Sequence, residues 1–162
     1  MNALQPKRIK DSQVEMRELV IPNDTNLIGN LLGGRLMHLV DVAGAMAASR
    51  HSNGLVATVG IDRVDFKYPI KLGELVWLKA RLTWVGRTSM EVLVEVFSEN
   101  YTTGKVTFAN RAYISFVAID GEGKSRPTPG LIIETDTERA DYEAAAKRRE
   151  ERLQRKETSP SI

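Results

Sequence analysis

Asp41 is the residue of this chain whose type and surroundings point most directly to chemistry. It lies in a run of apolar and small residues from Gly33 to Ala48, and a carboxylate is costly to remove from water unless it is paired or hydrogen-bonded. Gly33 and Gly34 open the run, and a helix that begins there has free backbone N–H groups for an anion or a polarised carbonyl. A carboxylate about one to two turns along such a helix can direct attack on a carbonyl carbon.

The elements that must position Asp41 follow from the spacing of the apolar residues. The segment from 33 to about 51 is apolar on nearly all sides, which predicts a helix enclosed by the rest of the fold. After Gly54 the apolar residues recur at every second position, which predicts strands. Because the turns between these strands are short, we expect antiparallel pairing. The predicted strands are 14–21, 55–68, 75–85, 89–97 and 105–119.

The alternation also predicts which side chains face the core. We expect Trp84 to point inward with the aliphatic residues of its strand, and Glu91 to point outward into solvent. On the last strand we expect Val106 and Phe108 to point inward. A single sheet covers one side of the enclosed helix, so its other side and the sheet edges call for a second copy of the chain.

The C-terminal tail has a different character. From 136 to 157 it is highly charged, with acids early and bases late, an order that complements the dipole of a helix. Such a helix is typical of a solvated or subunit-packing surface, and phosphate contact by Arg148 or Arg149 is the weaker alternative. We therefore divide the chain into a loose N-terminus (1–12), a single domain (13–134) and a charged helix with a frayed tail (135–162).

Composition excludes several classes of protein. The net charge of +2 is too small, and the basic residues too dispersed, for a nucleic-acid-binding protein. The chain has no cysteine, which rules out disulfides, thiolate metal sites and a cysteine nucleophile and fits a reducing compartment. The sequence shows no metal-ligand cluster, no signal peptide and no apolar stretch of the roughly 18 residues that a membrane span needs. We expect a cytoplasmic protein that needs no metal or other cofactor.

Five motifs stand in order along the chain: NDTNLIGNLLGG at 23–34, Asp41, TVGIDRVDF at 58–66, PIKLGE at 69–74 and GRTSMEV at 86–92. Together they resemble the hotdog-fold acyl-CoA thioesterases, in particular the cytosolic acyl-CoA hydrolases that include the brain enzyme and its bacterial relatives. The resemblance runs from about residue 15 to about residue 149. It implies an α+β hotdog fold, a long central helix wrapped by an antiparallel sheet, here followed by the charged C-terminal helix.

The resemblance also implies an activity, the hydrolysis of fatty acyl-CoA to free fatty acid and coenzyme A. At the matching positions, Asp41 is the catalytic carboxylate, acting as general base on water or as nucleophile on the thioester carbonyl. Thr58 supplies a hydroxyl that assists at the same site. Gly34 supplies the oxyanion-hole N–H, with Gly33 beside it. One position departs from the family, since Leu32 stands where relatives often carry His, Phe or Trp, which affects local carbonyl contacts and acyl preference.

Further implications concern a partner subunit and the coenzyme. Asn26 matches the loop asparagine that the family places opposite the carboxylate, on the partner chain, and Asn30 is a nearby competitor for that role. The family forms homodimers with active sites across the interface, commonly assembled into hexamers as trimers of dimers. Arg87, Thr88 and Ser89 match the turn that contacts the pantetheine or phosphate portion of coenzyme A.

Two other activities fit the same fold. A hotdog hydratase or dehydratase acts on enoyl or hydroxyacyl thioesters and usually pairs a histidine with the acid near the active helix. Only His38, three positions before Asp41, is available for that role, and a packed or interface histidine is the simpler interpretation. A non-catalytic acyl-CoA sensor would bind the ligand without turnover. We do not expect a transcriptional version of such a sensor, because the residues before the first strand do not suggest a DNA-binding extension.

Overall fold

The structure, a computed structural model, describes residues 4–159. Its elements in chain order are β1 (Lys7–Arg8), β2 (Val14–Leu19), α1 (Gly33–Ser52), β3 (Val56–Asp62), β4 (Leu75–Val85), β5 (Ser89–Asn100), β6 (Lys105–Ala118), β7 (Leu131–Ile132) and α2 (Asp136–Thr158). Five of the strands form one sheet in the spatial order β2-β4-β5-β6-β3, and every neighbouring pair in it is antiparallel. A long helix and an antiparallel sheet confirm the predicted α+β fold.

The structure describes part of the predicted loose N-terminus and part of the predicted C-terminal tail. β1 pairs in parallel with β7, so residues 7 and 8 belong to a small second sheet. Residues 160–162, the end of the tail predicted to fray, lie outside the described residues.

Helix α1 packs closely on one face of the sheet because its inner side carries small residues. Ala43 and Ala47 are fully buried there. A Cβ on Gly44 would lie 3.0 Å from Ile114 Cδ1 and 3.1 Å from the ring of Phe116, so any larger residue would require these side chains to shift. The helix ends at Ser52, and the next residue, Asn53, takes the left-handed conformation (φ 55°) typical of a helix C-terminus. The face of the sheet that α1 covers is the inner face of the fold.

The predicted strand at 55–68 is too long, and this prediction was wrong. β3 ends at Asp62, Arg63 takes a positive φ of 49°, and residues 63–69 run outside the sheet. This segment crosses the start of α1, where the ring of Phe66 lies 3.3 Å from the position of a Cβ on Gly33. The apolar alternation continues through 64, 66 and 68, but here it serves packing outside the sheet. A period of two therefore could not mark the end of β3.

Two β-bulges reverse the predicted orientation of large side chains. The pairing of β4 with β5 shifts between Leu82 and Trp84, so Trp84 lies on the outer face and not in the core. The pairing of β5 with β6 shifts between Val96 and Phe97. Phe108 therefore packs against Phe97 on the outer face, with ring centroids 5.6 Å apart, and nearby Val106 is exposed as well. A bulge adds one residue to a strand, which alternation along the sequence does not reveal.

Glu91, predicted to face solvent, is buried and only 1% exposed. Helix α2 covers it on the outer face: Arg148 donates from Nη2 and Nε at 2.8 and 3.1 Å, and Thr83 Oγ1 donates at 2.7 Å. Burial by itself lowers the pKa of Arg148, but its hydrogen bonds and attraction to Glu91 outweigh this and raise the pKa. Within the described chain α2 therefore packs on its own sheet, and Arg148 is already paired.

His51 at the end of α1 should make stability depend on pH. It is fully buried, and its Nε2 hydrogen-bonds the Pro129 carbonyl at 2.8 Å, while Nδ1 has no partner among residues 4–159. Burial lowers the pKa of His51, and nearby Lys7 lowers it further, against the bond to Pro129. An unfolded histidine has a pKa of about 6.5. Below that pH the histidine of the unfolded state binds a proton, whereas the buried His51 of the folded state stays neutral. The free energy of unfolding therefore falls as the pH is lowered.

We expect His51→Gln to reduce this pH dependence, because a glutamine amide can still donate to Pro129 and does not titrate. The measurement is urea unfolding of wild type and variant at pH values between about 7 and about 5.5, the range in which a free histidine titrates. His38→Gln is the matched control, because it makes the same exchange at an exposed position of the same helix. Equal slopes for wild type and His51→Gln would contradict the assignment.

Candidate active site

Asp41 lies on the side of α1 that faces β3, and its carboxylate is oriented by Thr58. Thr58 Oγ1 donates to Asp41 Oδ1 at 2.7 Å. Asp41 is half-buried and Thr58 is exposed, so solvent and ligand can reach the pair in the single chain. Among residues 4–159, no basic side chain pairs with Asp41, and Oδ2 is left without a hydrogen bond. A carboxylate held at one oxygen and free at the other is suited to act as a base or as a nucleophile.

The local irregularity of β3 accounts for the position of Thr58. β3 is the last strand of the sheet in the described chain, and its pairing with β6 shifts between Thr58 and Gly60. A shift of this kind bends a strand and re-aims its side chains. Thr58 thus comes immediately before the bend, with its hydroxyl directed toward the helix and Asp41.

The start of α1 provides the donors that the sequence predicted. No side chain in the described residues caps this N-terminus, and the first helical hydrogen bond runs from the Leu36 N–H to Leu32 O at 3.0 Å. The N–H groups of Gly33 and Gly34 precede that bond and lack helical partners. A Cβ on Gly34 would meet nothing within 4 Å in the described chain, whereas Gly33 lies against Phe66. The space beside Gly34 is therefore open to a ligand oxygen.

Asn26 lies in the exposed loop before α1, and no hydrogen bond within the described residues joins it to Asp41. Its Oδ1 accepts from the Ile28 N–H at 3.1 Å and from the Asn30 N–H at 3.0 Å. These bonds fix the side chain and leave its NH₂ group as the available donor. Asn30 uses its backbone to close the same turn, with its carbonyl accepting from the Asn26 N–H at 2.8 Å. The adjacent Leu27 and Ile28 project into solvent.

The turn at Arg87, Thr88 and Ser89 lies at the β4–β5 hairpin. The carbonyls of Arg87 and Thr88 both accept backbone N–H groups at 2.9 Å, so the turn is anchored while the Arg87 side chain is exposed. Ser89 lines a cleft of about 360 Å³ on the outer face, which Val59, the residue after Thr58, also lines. The structure therefore brings Ser89 close to β3, without a direct contact between this turn and Asp41.

Sequence reasoning missed most of the lining of this cleft. Its rim includes Arg149, Arg155 and Lys156 from α2, and Trp84 lies 4.9 Å from the Arg149 guanidinium. The bulge that turns Trp84 outward could not be read from the sequence. The late cluster of bases in the tail was the available signal, and it pointed to Arg149 as well as to Arg148.

Several features of the described residues limit the chemistry of the site. They contain no group of three or more His, Asp or Glu side chains placed to hold a metal ion. None of their helices is long and apolar enough to cross a membrane. His38 is exposed on α1 and makes no hydrogen bond to Asp41 in this part of the chain. The arrangement thus offers one carboxylate, one hydroxyl and backbone donors for work on a carbonyl.

Comparison with known proteins places this chain in a family. Residues 28–105 match the model of the "Thioesterase superfamily". The Bacillus subtilis protein named "Uncharacterized acyl-CoA thioester hydrolase YkhA" is 38% identical over 153 residues, covering 94% of this chain and 89% of that protein. The solved structure of an apo-hexameric acyl-CoA thioesterase is 36% identical, with a TM-score of 0.91 and coverage of 96% of this chain and 100% of that one.

A solved acyl-CoA hydrolase from Staphylococcus aureus, in complex with butyryl coenzyme A, coenzyme A and coenzyme A disulfide, is 35% identical. Its TM-score is 0.85, and 93% of this chain and 92% of that one are covered. The same hydrolase has been solved as three mutants, in which an aspartate, an asparagine and a threonine are each replaced by alanine. The replaced positions are spaced along that chain as Asp41, Asn26 and Thr58 are spaced here. The chain belongs to the hotdog acyl-CoA thioesterase family.

Proposed function

We propose that this acyl-CoA thioester hydrolase cleaves fatty acyl-CoA at a site formed by Asp41, Thr58 and the N-terminus of α1. The observation that carries the proposal is the 2.7 Å hydrogen bond from Thr58 to Asp41, on a helix whose start has no capping side chain in the described chain. The mutated positions of the Staphylococcus aureus hydrolase support the choice of residues, because their spacing is the same.

In the proposed reaction the thioester carbonyl oxygen accepts a hydrogen bond from the Gly34 N–H. One well-placed donor of this kind is worth roughly 3–4 kcal/mol at the transition state. Asp41 then takes a proton from a water molecule that attacks the carbonyl carbon, or attacks that carbon itself to form an anhydride that water hydrolyses. Thr58 holds the carboxylate in either route. Collapse of the tetrahedral intermediate breaks the carbon–sulfur bond and releases the coenzyme A thiolate. The fatty acid is released at this step when water is the nucleophile, and on hydrolysis of the anhydride when Asp41 is the nucleophile.

The proposed site is completed by a second copy of the chain. β3 ends the sheet in the described residues and offers an unpaired edge, and the loop that carries Asn26 exposes Leu27 and Ile28. We infer a homodimer in which Asn26 of one subunit faces Asp41 of the other and donates its free NH₂ group to water or substrate. We propose further assembly into a hexamer, which the apo-hexameric relative supports.

The remaining proposals concern the coenzyme and the organisation of the chain. Arg87, Thr88 and Ser89 contact the pantetheine or phosphate portion of coenzyme A, as their exposed turn beside the outer cleft allows. A single hotdog unit spans 13–134, with 135–162 as an accessory helix and tail. A cytoplasmic location and the lack of a nucleic-acid partner stay predictions from composition.

A subunit-mixing experiment tests the shared site. Asn26→Ala and Asp41→Ala chains are each expected to be inactive in a thiol-release assay with acyl-CoA. A random mixture of dimers made from equal amounts of the two chains should recover about one quarter of wild-type activity, because about half of the dimers are heterodimers and each of these has one of its two sites intact. The assay is run with short, medium and long acyl chains so that a narrow substrate preference is not mistaken for inactivity.

The matched control mixes wild type with the Asn26→Ala/Asp41→Ala double variant. If each site draws on both subunits, these heterodimers have no intact site and add nothing to the activity of the wild-type dimers. If each site lies within one chain, the outcome is reversed: these heterodimers keep one active site, and the single variants fail to complement. That reversed pattern would refute the shared site.

A further inference from the structure

Arg152 of helix α2 joins three elements on the outer face of the sheet. Its Nη1 donates to Asp62 Oδ2 at 2.5 Å and to Glu91 Oε2 at 3.4 Å. Asp62 is the last residue of β3, and Glu91 is a buried residue of β5. The side chains of Arg152 and Asp62 are 24% and 32% exposed, so this ion pair is less screened by water than a surface pair. One guanidinium thus ties the end of β3 to the centre of the sheet.

At the end of β3, pairing with the neighbouring strand holds the chain only weakly in place. The pairing with β6 has already shifted between Thr58 and Gly60, so a short stretch of ladder follows the bulge before Asp62. At Arg63 the chain turns away with φ 49°, a left-handed conformation that a residue with a Cβ disfavours. A contact that holds Asp62 therefore decides where the strand stops and in which direction the next segment leaves.

Asp62 also lies between two parts of the proposed active site. Four residues before it, Thr58 donates to Asp41. Four residues after it, the ring of Phe66 packs against Gly33 at the start of α1. A displacement of Asp62 is transmitted through short lengths of backbone to the hydroxyl that orients the carboxylate and to the residue beside the oxyanion donors.

We propose that Arg152 is a positioning residue for hydrolysis: through Asp62 it fixes the exit of β3 from the sheet and so aligns Thr58 and the start of α1. The inference rests on the proposed function of Asp41 and Thr58. It assigns a catalytic consequence to a helix on the opposite face of the sheet from Asp41. The contact acts on alignment, so its loss lowers kcat and leaves KM nearly unchanged.

The chain supplies a closely matched control. Arg148 is on the same helix and makes the closer contacts to the same buried Glu91, but its other partner is the ring of Tyr113, at 3.7 Å, and not β3. Arg148→Met and Arg152→Met both weaken the docking of α2 and retain an apolar stem. Only Arg152→Met releases Asp62.

The experiment measures kcat, KM and melting temperature for Arg152→Met, Arg152→Lys, Arg148→Met and Asp62→Ala, with one acyl-CoA that the wild type hydrolyses. We expect kcat to fall about tenfold in Arg152→Met and Asp62→Ala, well within the loss that a small misplacement of reacting groups causes. The Arg152→Met/Asp62→Ala double variant should be no slower than either single variant, because both substitutions remove the same interaction. Arg152→Lys, which can still reach Asp62, should recover part of kcat.

Hydrogen exchange adds a readout independent of activity. We expect faster amide exchange at 60–66 in Arg152→Met than in Arg148→Met, although the melting temperature of Arg148→Met falls at least as far. The proposal is overturned if Arg148→Met lowers kcat as much as Arg152→Met, if Arg152→Met leaves kcat unchanged, or if it raises KM alone. These failures differ from failure of the proposed function, which would appear as unchanged turnover in Asp41→Asn.

Discussion

Asp41→Asn is expected to lower kcat for acyl-CoA hydrolysis by about 10²–10⁴-fold, the contribution typical of a positioned general base. The substitution preserves the shape of the side chain, and an asparagine oxygen can still accept the Thr58 hydrogen bond that the carboxylate accepts at 2.7 Å. What is lost is the ability to take a proton from water or to attack the thioester. The loss should therefore appear in kcat at every acyl chain length, measured by release of the coenzyme A thiol.

The control for Asp41→Asn is a carboxylate that has no place in the chemistry. Glu122, whose side chain is 75% exposed on a loop, is replaced by glutamine and should leave kcat at the wild-type value. Circular dichroism and oligomer size of the Asp41→Asn protein should match the wild type, since the exchange changes no volume. Wild-type turnover in Asp41→Asn would show that this carboxylate is not the catalytic group.

The parts of the fold that the sequence predicts are those set by regular repetition. Strand β4 begins and ends at the predicted residues because a period of two is visible along it, and α1 ends within about one residue of its prediction because glycines flank a continuous apolar segment. The errors fall where one residue breaks the repetition. The bulge at Leu82/Trp84 turns Trp84 outward, and the positive φ of Arg63 ends β3 early.

For the site, the sequence supplies residue types and matched motifs but not the geometry between them. The hydrogen bond from Thr58 to Asp41 joins residues 17 positions apart, and no periodicity encodes that distance. For Asn26 even the structure of one chain does not show the proposed contact. Its proposed partner is on another chain, and its contacts within one chain are those of a turn. The roles of these residues stay predictions until the variants are measured.

Glu91 shows why burial of a charge is the hardest feature to predict. The apolar residues on either side of it in β5 face the core as predicted, and a glutamate at an outward position is ordinarily solvated. It is buried because α2, from the distant end of the chain, places Arg148 over it at 2.8 Å. The acidic and basic residues of a contact so far apart in sequence cannot be paired by inspection. The consequence for stability is large, because a buried ion pair is costly to break from one side.

We therefore expect Glu91→Ala to lower the free energy of unfolding by about 3 kcal/mol, at the low end of the range for breaking a buried ion pair because the arginines keep some contact with water. Arg148 and Arg152 would lose their shared partner, Thr83 would lose an acceptor, and α2 would be held less firmly on the outer face. The measurement is urea unfolding at one fixed protein concentration, since an oligomer gains stability by mass action.

Two comparisons make this result interpretable. Glu122→Ala removes an exposed glutamate whose ion pair with Lys124 is surrounded by water, and it should change stability by less than about 1 kcal/mol. Proteolysis should cut the Glu91→Ala chain first within α2, which has lost one of its contacts with the sheet, while the sheet and α1 stay protected. If Glu91→Ala is as stable as Glu122→Ala, the contacts between α2 and Glu91 do not hold the helix on the sheet. In that case, the positioning role of Arg152 would also lose its support, because its guanidinium uses the same carboxylate.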